Sequence, residues 1–97
     1  MTEGFAAHLI MTPEARFKSA IALVDEAGVL KEVHSLDRET PFTRFYDGVL
    51  LILRHDATPS DPGCAPGMGD RISVWQIYPF NLQAGCPLEN TRTLRIR

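Results

Sequence analysis

Residues Val49 to Leu53 form an unbroken apolar run, Val-Leu-Leu-Ile-Leu, directly after Tyr46, Asp47 and Gly48. A run of this length with no polar alternation reads as a strand buried on both faces. The preceding Asp-Gly is a hairpin or tight-turn signal, because glycine accepts a positive φ without a Cβ clash. A fully buried strand needs neighbours on either side and layers above and below, so the rest of the chain must supply them. A second apolar segment, Ile72–Ile77, follows across a loop with three prolines and three glycines between Ala57 and Gly69.

The chain has 97 residues and a formal net charge of −2. That length fits a single domain burying about 60–70% of its unfolded surface, with no room for a separate catalytic domain. The segments are an N-terminal β part over 1–53, a connecting loop over 54–69 and a C-terminal β part over 70–97. The charge balance gives no pull toward nucleic acid or membrane, and no apolar stretch reaches the length of a membrane span. The first residues show no basic segment followed by a long apolar run, so no signal peptide is expected. Arg92, Arg95 and Arg97 cluster at the end; three arginines on a terminal strand read first as a solvated edge that discourages aggregation. Cys64 and Cys86 both sit in turn contexts, without CxxC spacing or nearby histidines, which makes a poor zinc site. Two reduced thiols in a cytoplasmic protein are expected.

Along the chain, Phe5, Ala7, Leu9 and Met11 alternate onto one face of an expected strand, with His8 on the other. The next segment supports two readings. Thr12, Pro13 and Glu14 look like a helix start, and Phe17, Ala20, Ile21 and Val24 follow helical spacing as far as a stop at Gly28. Ala20–Val24 is also a compact apolar run that could be a strand, followed by the turn Asp25–Gly28 and a second strand over Val29–Val33, although the local signals by themselves favour the helix slightly. His34–Thr43 reads as a loop broken by Pro41. Pro79 is expected to end the Ile72–Ile77 strand, Asn81–Asn90 to be irregular, and Thr91–Ile96 to form a last strand with Thr91, Thr93 and Arg95 facing one way.

Three segments together resemble the N-terminal β segment of the amidohydrolase superfamily of metal-dependent hydrolases. They are Ala7–Phe17 (AHLIMTPEARF), Ile21–Val33 (IALVDEAGVLKEV) and Phe45–Leu51 (FYDGVLL). In that family a strand, a turn, a hairpin and a further strand lead into the first strand of a catalytic barrel. Pro66, Gly67, Asp70 and Ile72–Trp75 resemble the closing segment that returns to the same small sandwich, with the aspartate one position off the usual register. After Leu51 the family continues into Pro-Gly and a metal-binding His-x-His, whereas this chain has Ile52 to Asp56 (ILRHD) and no barrel. The resemblance therefore implies an all-β fold, a small sandwich or partly open barrel, with the catalytic barrel absent. It decides the ambiguous segment in favour of a strand over Ala20–Val24, paired with both Phe5–Met11 and Val29–Val33.

Hydrolysis of the family's kind needs several histidines, an aspartate and often a carboxylated lysine around metal, so that bound water ionises near neutral pH. Only His8, His34 and His55 are present, none with metal-ligand spacing, so no catalytic, cofactor or metal residue carries over. His55 and Asp56 are the sharpest polar pair, but adjacent residues of an extended chain point to opposite faces. They read first as a strand end entering a loop; an enzyme acting alone would have to use them with Cys64. Trp75, Tyr78 and Phe80 are a candidate binding or interface face, or else the cap of a small core. The expected function is a non-catalytic structural module, with a stand-alone small-molecule or protein-binding module as the alternative. Loss of the barrel would leave apolar surface near Val49–Leu53 or Trp75–Phe80, so association is expected with a second copy or with a missing barrel domain.

Overall fold

The computed structural model describes residues 2–35, 43–61, 63–81, 83 and 86–97, and of these the side chains of 80, 81 and 86–90 are left aside. The described residues form strands, turns and loops, with no helix among them. β1 (Glu3–Met11), β2 (Arg16–Val24) and β3 (Leu30–Ser35) make an antiparallel meander. The Thr12 hydroxyl accepts the N–H of Ala15 at 3.0 Å, and the Thr12 N–H donates to the Ala15 carbonyl at 2.9 Å. A threonine hydroxyl that would cap a helix thus closes a hairpin turn, since both motifs use the same side-chain-to-backbone bond. The strand wins because Ala20, Ala22 and Val24 bury one face of β2 while its backbone pairs with β1 along most of its length and with β3 over Ala20–Val24. At the far end Asp25 accepts the N–H groups of Ala27 and Val29, and Gly28 takes φ 80°.

β4 (Thr43–Phe45) and β5 (Val49–Arg54) run one after the other along the same edge of β1, both parallel to it. Tyr46–Gly48 is therefore a corner between successive partners of β1 and not a hairpin, because β4 and β5 do not pair with each other. Gly48 turns it at φ 78°, and a Cβ there would run into the carbonyl oxygen of Ile77. β6 (Ile72–Asn81) pairs antiparallel with β5, and β7 (Cys86–Arg95) with β6, giving the order β3-β2-β1-β5-β6-β7. The sheet is mixed and unclosed, an all-β fold of the small sandwich or open-barrel kind.

Three local expectations need correction. Pro79 does not end β6: the strand runs on to Asn81, with a register shift between Tyr78 and Phe80 and a cis Tyr78–Pro79 bond. Proline is accommodated in a strand where the ladder is already irregular. The stretch Asn81–Asn90 is not irregular throughout, since β7 begins at Cys86. The alternation of β1 also breaks. Phe5 and Ala7 share the main core cluster with Ile10, while the ladder skips the pair of His8 and Ser19, where Ser19 takes φ 47°. His34 and Ser35 belong to β3 and Thr43 to β4, and the remainder of the expected loop, 36–42, lies outside the described residues.

The core gathers Phe5, Ile10, Val24, Leu30, Leu50, Ile52 and Val74 from both halves of the chain. Val49, Leu50, Ile52 and Leu53 are all fully buried, so β5 is covered on both faces. The two halves are also tied through backbone: the Leu30 N–H donates to Asp70, the Ile72 N–H to Gly28, and the Gly69 N–H to Leu30. Truncating Ile52 to Ala should cost about 2–5 kcal/mol through lost burial and a residual cavity. Leu94→Ala, at a side chain 59% exposed, should stay within about 0.5 kcal/mol of the parent. Urea unfolding curves of the two variants would check the contrast.

Candidate binding face

Strand pairing aligns Trp75 with residues from four other strands. Antiparallel and parallel partners opposite one another place their side chains on the same side of a sheet. Met11 lies opposite Arg16 and Leu51, Leu51 opposite Trp75, and Trp75 opposite Arg95. The result is one cross-strand row, Arg16–Met11–Leu51–Trp75–Arg95. A neighbouring row reads Lys18–Leu9–Val49–Ile77–Thr93 by the same pairings. Met11, Leu51, Trp75 and Ile77 are half-buried, Leu9 and Val49 are buried, and the flanking Arg16, Lys18, Thr93 and Arg95 are exposed. With strands about 4.8 Å apart, the two arginines of the first row are separated by roughly 19 Å along the sheet.

Trp75 is held in place. Its indole N–H donates to the Ser73 hydroxyl at 2.8 Å, which also satisfies a fully buried serine. The Arg95 guanidinium lies 5.5 Å from the ring centroid, a cation–π contact of about 0.5–1 kcal/mol at an exposed site. Tyr78, half-exposed, sits three positions along β6 and hence on the opposite face, together with Gln76, whose amide donates to the Asp47 carbonyl. Trp75 and Tyr78 are therefore not one aromatic patch; the Phe80 side chain lies outside the described residues. The chain's pairing register brings in Arg16, Lys18 and Met11, which sequence reasoning did not place at a candidate surface, beside Leu51 of the Val49–Leu53 stretch, which it did. The charge alternation of Arg16, Phe17 and Lys18 was the available signal, and it had no meaning before β2 was known to be a strand.

The polar candidates lie elsewhere. His55 and Asp56 form the turn after β5; the His55 N–H donates to the Arg71 carbonyl, and no hydrogen bond joins the two side chains among the described residues. Asp56 borders a shallow recess of about 300 Å³ with Arg54, Asp61 and Cys64, whose thiol is free and exposed. A larger recess of about 590 Å³ lies between Glu3, Phe5, Arg44 and Arg97. One of its two cations is already engaged: Arg97 Nη2 donates to the carbonyls of Asp25 and Glu26, and Nη1 lies 3.8 Å from Glu3. Among the described residues no three of His, Cys, Asp and Glu gather into a group that could hold a metal ion. No described helix is long and apolar enough to cross a membrane.

Comparison of the chain with protein-family models, with curated proteins and with solved structures finds no match. The reading of its function rests on the residues themselves.

The turn that Arg97 grips carries Asp25, a carboxylate whose titration has a clear direction and which holds that turn together. The Val29 N–H above all holds Asp25 below its ordinary value; desolvation opposes it, and the Ala27 N–H and Lys31 at 3.5 Å add to the lowering. A depressed carboxylate stabilises the fold above its unfolded value of 3.8 and loses that contribution as pH falls through the folded value. Asp25→Asn should therefore be less stable than the parent at about pH 6, and the gap should be narrower at about pH 3, below the unfolded value of 3.8. Urea midpoints at the two pH values measure it.

Proposed function

We propose that this chain is a non-catalytic structural module that resembles the accessory β-sandwich of an amidohydrolase without its metal-binding barrel. The observation that supports the reading is the junction of its two halves. β5 and β6 are adjacent antiparallel strands, with Arg54 opposite Ile72, and the excursion between them is the Pro/Gly-rich loop. The resemblance would put the barrel at this place, and neighbouring strand ends are where a domain can be inserted or deleted without disturbing a sheet. The N-terminal and C-terminal segments then form one sheet with or without the insert. His55 and Asp56 match no ligand position of the family, and no hydrogen bond joins their side chains among the described residues. The module would work by supporting or contacting another body, either a separate barrel chain or a second copy of itself.

A second reading, a stand-alone protein-binding module, is favoured by the row through Trp75, an apolar strip held by Ser73 and Arg95.

The purified chain should hold no stoichiometric zinc and should not hydrolyse amide, imine or halo-aromatic substrates, since nothing would activate the attacking water. Elemental analysis and a hydrolysis screen are the measurement. One equivalent of tightly held zinc with turnover would overturn the proposal.

A further inference from the structure

The recess of about 590 Å³ at the start of β1 holds two guanidinium groups of different status. It opens between β1, β4 and the chain end after β7, and β4 and β7 do not pair with each other. Its size is that of a small-molecule site, and the mouth of an open β-barrel is a common place for one. Arg97 is committed to the Asp25 and Glu26 carbonyls and to Glu3. Arg44 is exposed, and no hydrogen bond or ion pair holds its guanidinium among the described residues, whose ion pairs are formed by Lys31, Arg54 and Arg97. β4 sets Arg44 opposite Phe5, and residues opposite one another share a side of the sheet. Tyr46, two positions on, falls on that same side: its ring stacks on Phe5 with centroids 6.0 Å apart. Tyr46 and Ile96, both half-buried, pack against the core and give the recess an apolar wall. We propose that this recess binds a small monocarboxylate with an apolar body, its carboxylate paired with Arg44 and its body laid against Tyr46 and Ile96.

The charges of the lining set the charge of the ligand. Arg44 and Arg97 are positive and Glu3 negative, so the recess carries one net positive charge on a chain that carries −2. A phosphate dianion would bring its second charge beside Glu3 with no second uncommitted cation to meet it. A cationic ligand would compete with Arg97 for Glu3 and be repelled by Arg44. An uncharged ligand would leave the donors of Arg44 unused. A single carboxylate matches the planar guanidinium fork, which can give it two parallel hydrogen bonds. Arg97 adds a further observation: its Nε is buried and has no hydrogen-bond partner among the described residues. A buried donor without an acceptor is costly, and a carboxylate oxygen is an acceptor of the kind it lacks. This inference rests on the recess alone and survives failure of the amidohydrolase resemblance.

The probe is benzoate, titrated into the isotope-labelled chain with backbone amide NMR shifts as the readout. Saturable shifts should concentrate at Glu3–Phe5, Thr43–Tyr46 and Ile96–Arg97, the segments that line the recess. Benzamide keeps the ring without the charge, and acetate keeps the charge without the ring. Each should bind about tenfold more weakly than benzoate, or weaker still. Arg44→Gln, at an exposed side chain, should weaken benzoate by about tenfold or more. Arg16→Gln, an exposed arginine outside the recess, should leave the affinity unchanged. Circular dichroism shows whether Arg44→Gln folds; if it does not, Arg44→Lys, which keeps the charge and loses the fork, should still weaken benzoate measurably. No saturable shift, shifts centred away from the recess, or an unchanged affinity in Arg44→Gln would overturn the inference. So would benzamide, benzylamine or phenyl phosphate binding as tightly as benzoate.

Discussion

Everything in this fold depends on β5 having neighbours on both edges and cover on both faces. Its parallel contact with β1 and antiparallel contact with β6 join the two halves of the chain, and its four fully buried side chains make it expensive to expose. Burying each such side chain is worth about 1.5–3 kcal/mol, so a separated N-terminal half would leave several unsatisfied at once. The unit of folding is therefore the whole sheet. β4 and β5 share one edge of β1, and the glycine corner at Gly48 lets the chain leave one partner position and enter the next.

The open sheet is braced at the end where its halves meet. Arg97, beyond β7, reaches the carbonyls of Asp25 and Glu26 at the β2–β3 turn, while Gly28 and Leu30 exchange backbone hydrogen bonds with Gly69, Asp70 and Ile72. The tail arginines thus divide by role. Arg97 ties the sheet, Arg95 covers Trp75, and Arg92 lies opposite Tyr78 on the other face. A reading of the three as a uniform solvated edge misses this, because the strand's alternation sends neighbours in different directions and the chain end is free to turn back.

Chemistry is dispersed over this molecule. The histidines stand apart: His8 packs edge-on against Phe45, His34 lies on β3, and His55 follows β5. The Asp25 carboxylate is spent on its own turn and the Arg97 guanidinium on the sheet's seam. The row through Trp75 is half-buried at Met11, Leu51 and Trp75 and exposed only at its cationic ends.

The residues alone determined a good deal. The apolar run Val49–Leu53 required a doubly covered strand, Asp25–Gly28 had the residue types of a turn, and alternation over Thr91–Ile96 marked a strand, because each signal is local and tied to backbone geometry. The all-β class followed from these together with the resemblance. Local signals could not decide between helix and strand for β2, since Thr12 caps either; long-range pairing with β1 and β3 decided it. They could not tell that Tyr46–Gly48 was a corner, that β6 would pass through Pro79, or that Trp75 and Tyr78 would part company. Above all, the row from Arg16 to Arg95 joins residues nearly eighty positions apart, and only the register of five strands brings them onto one line.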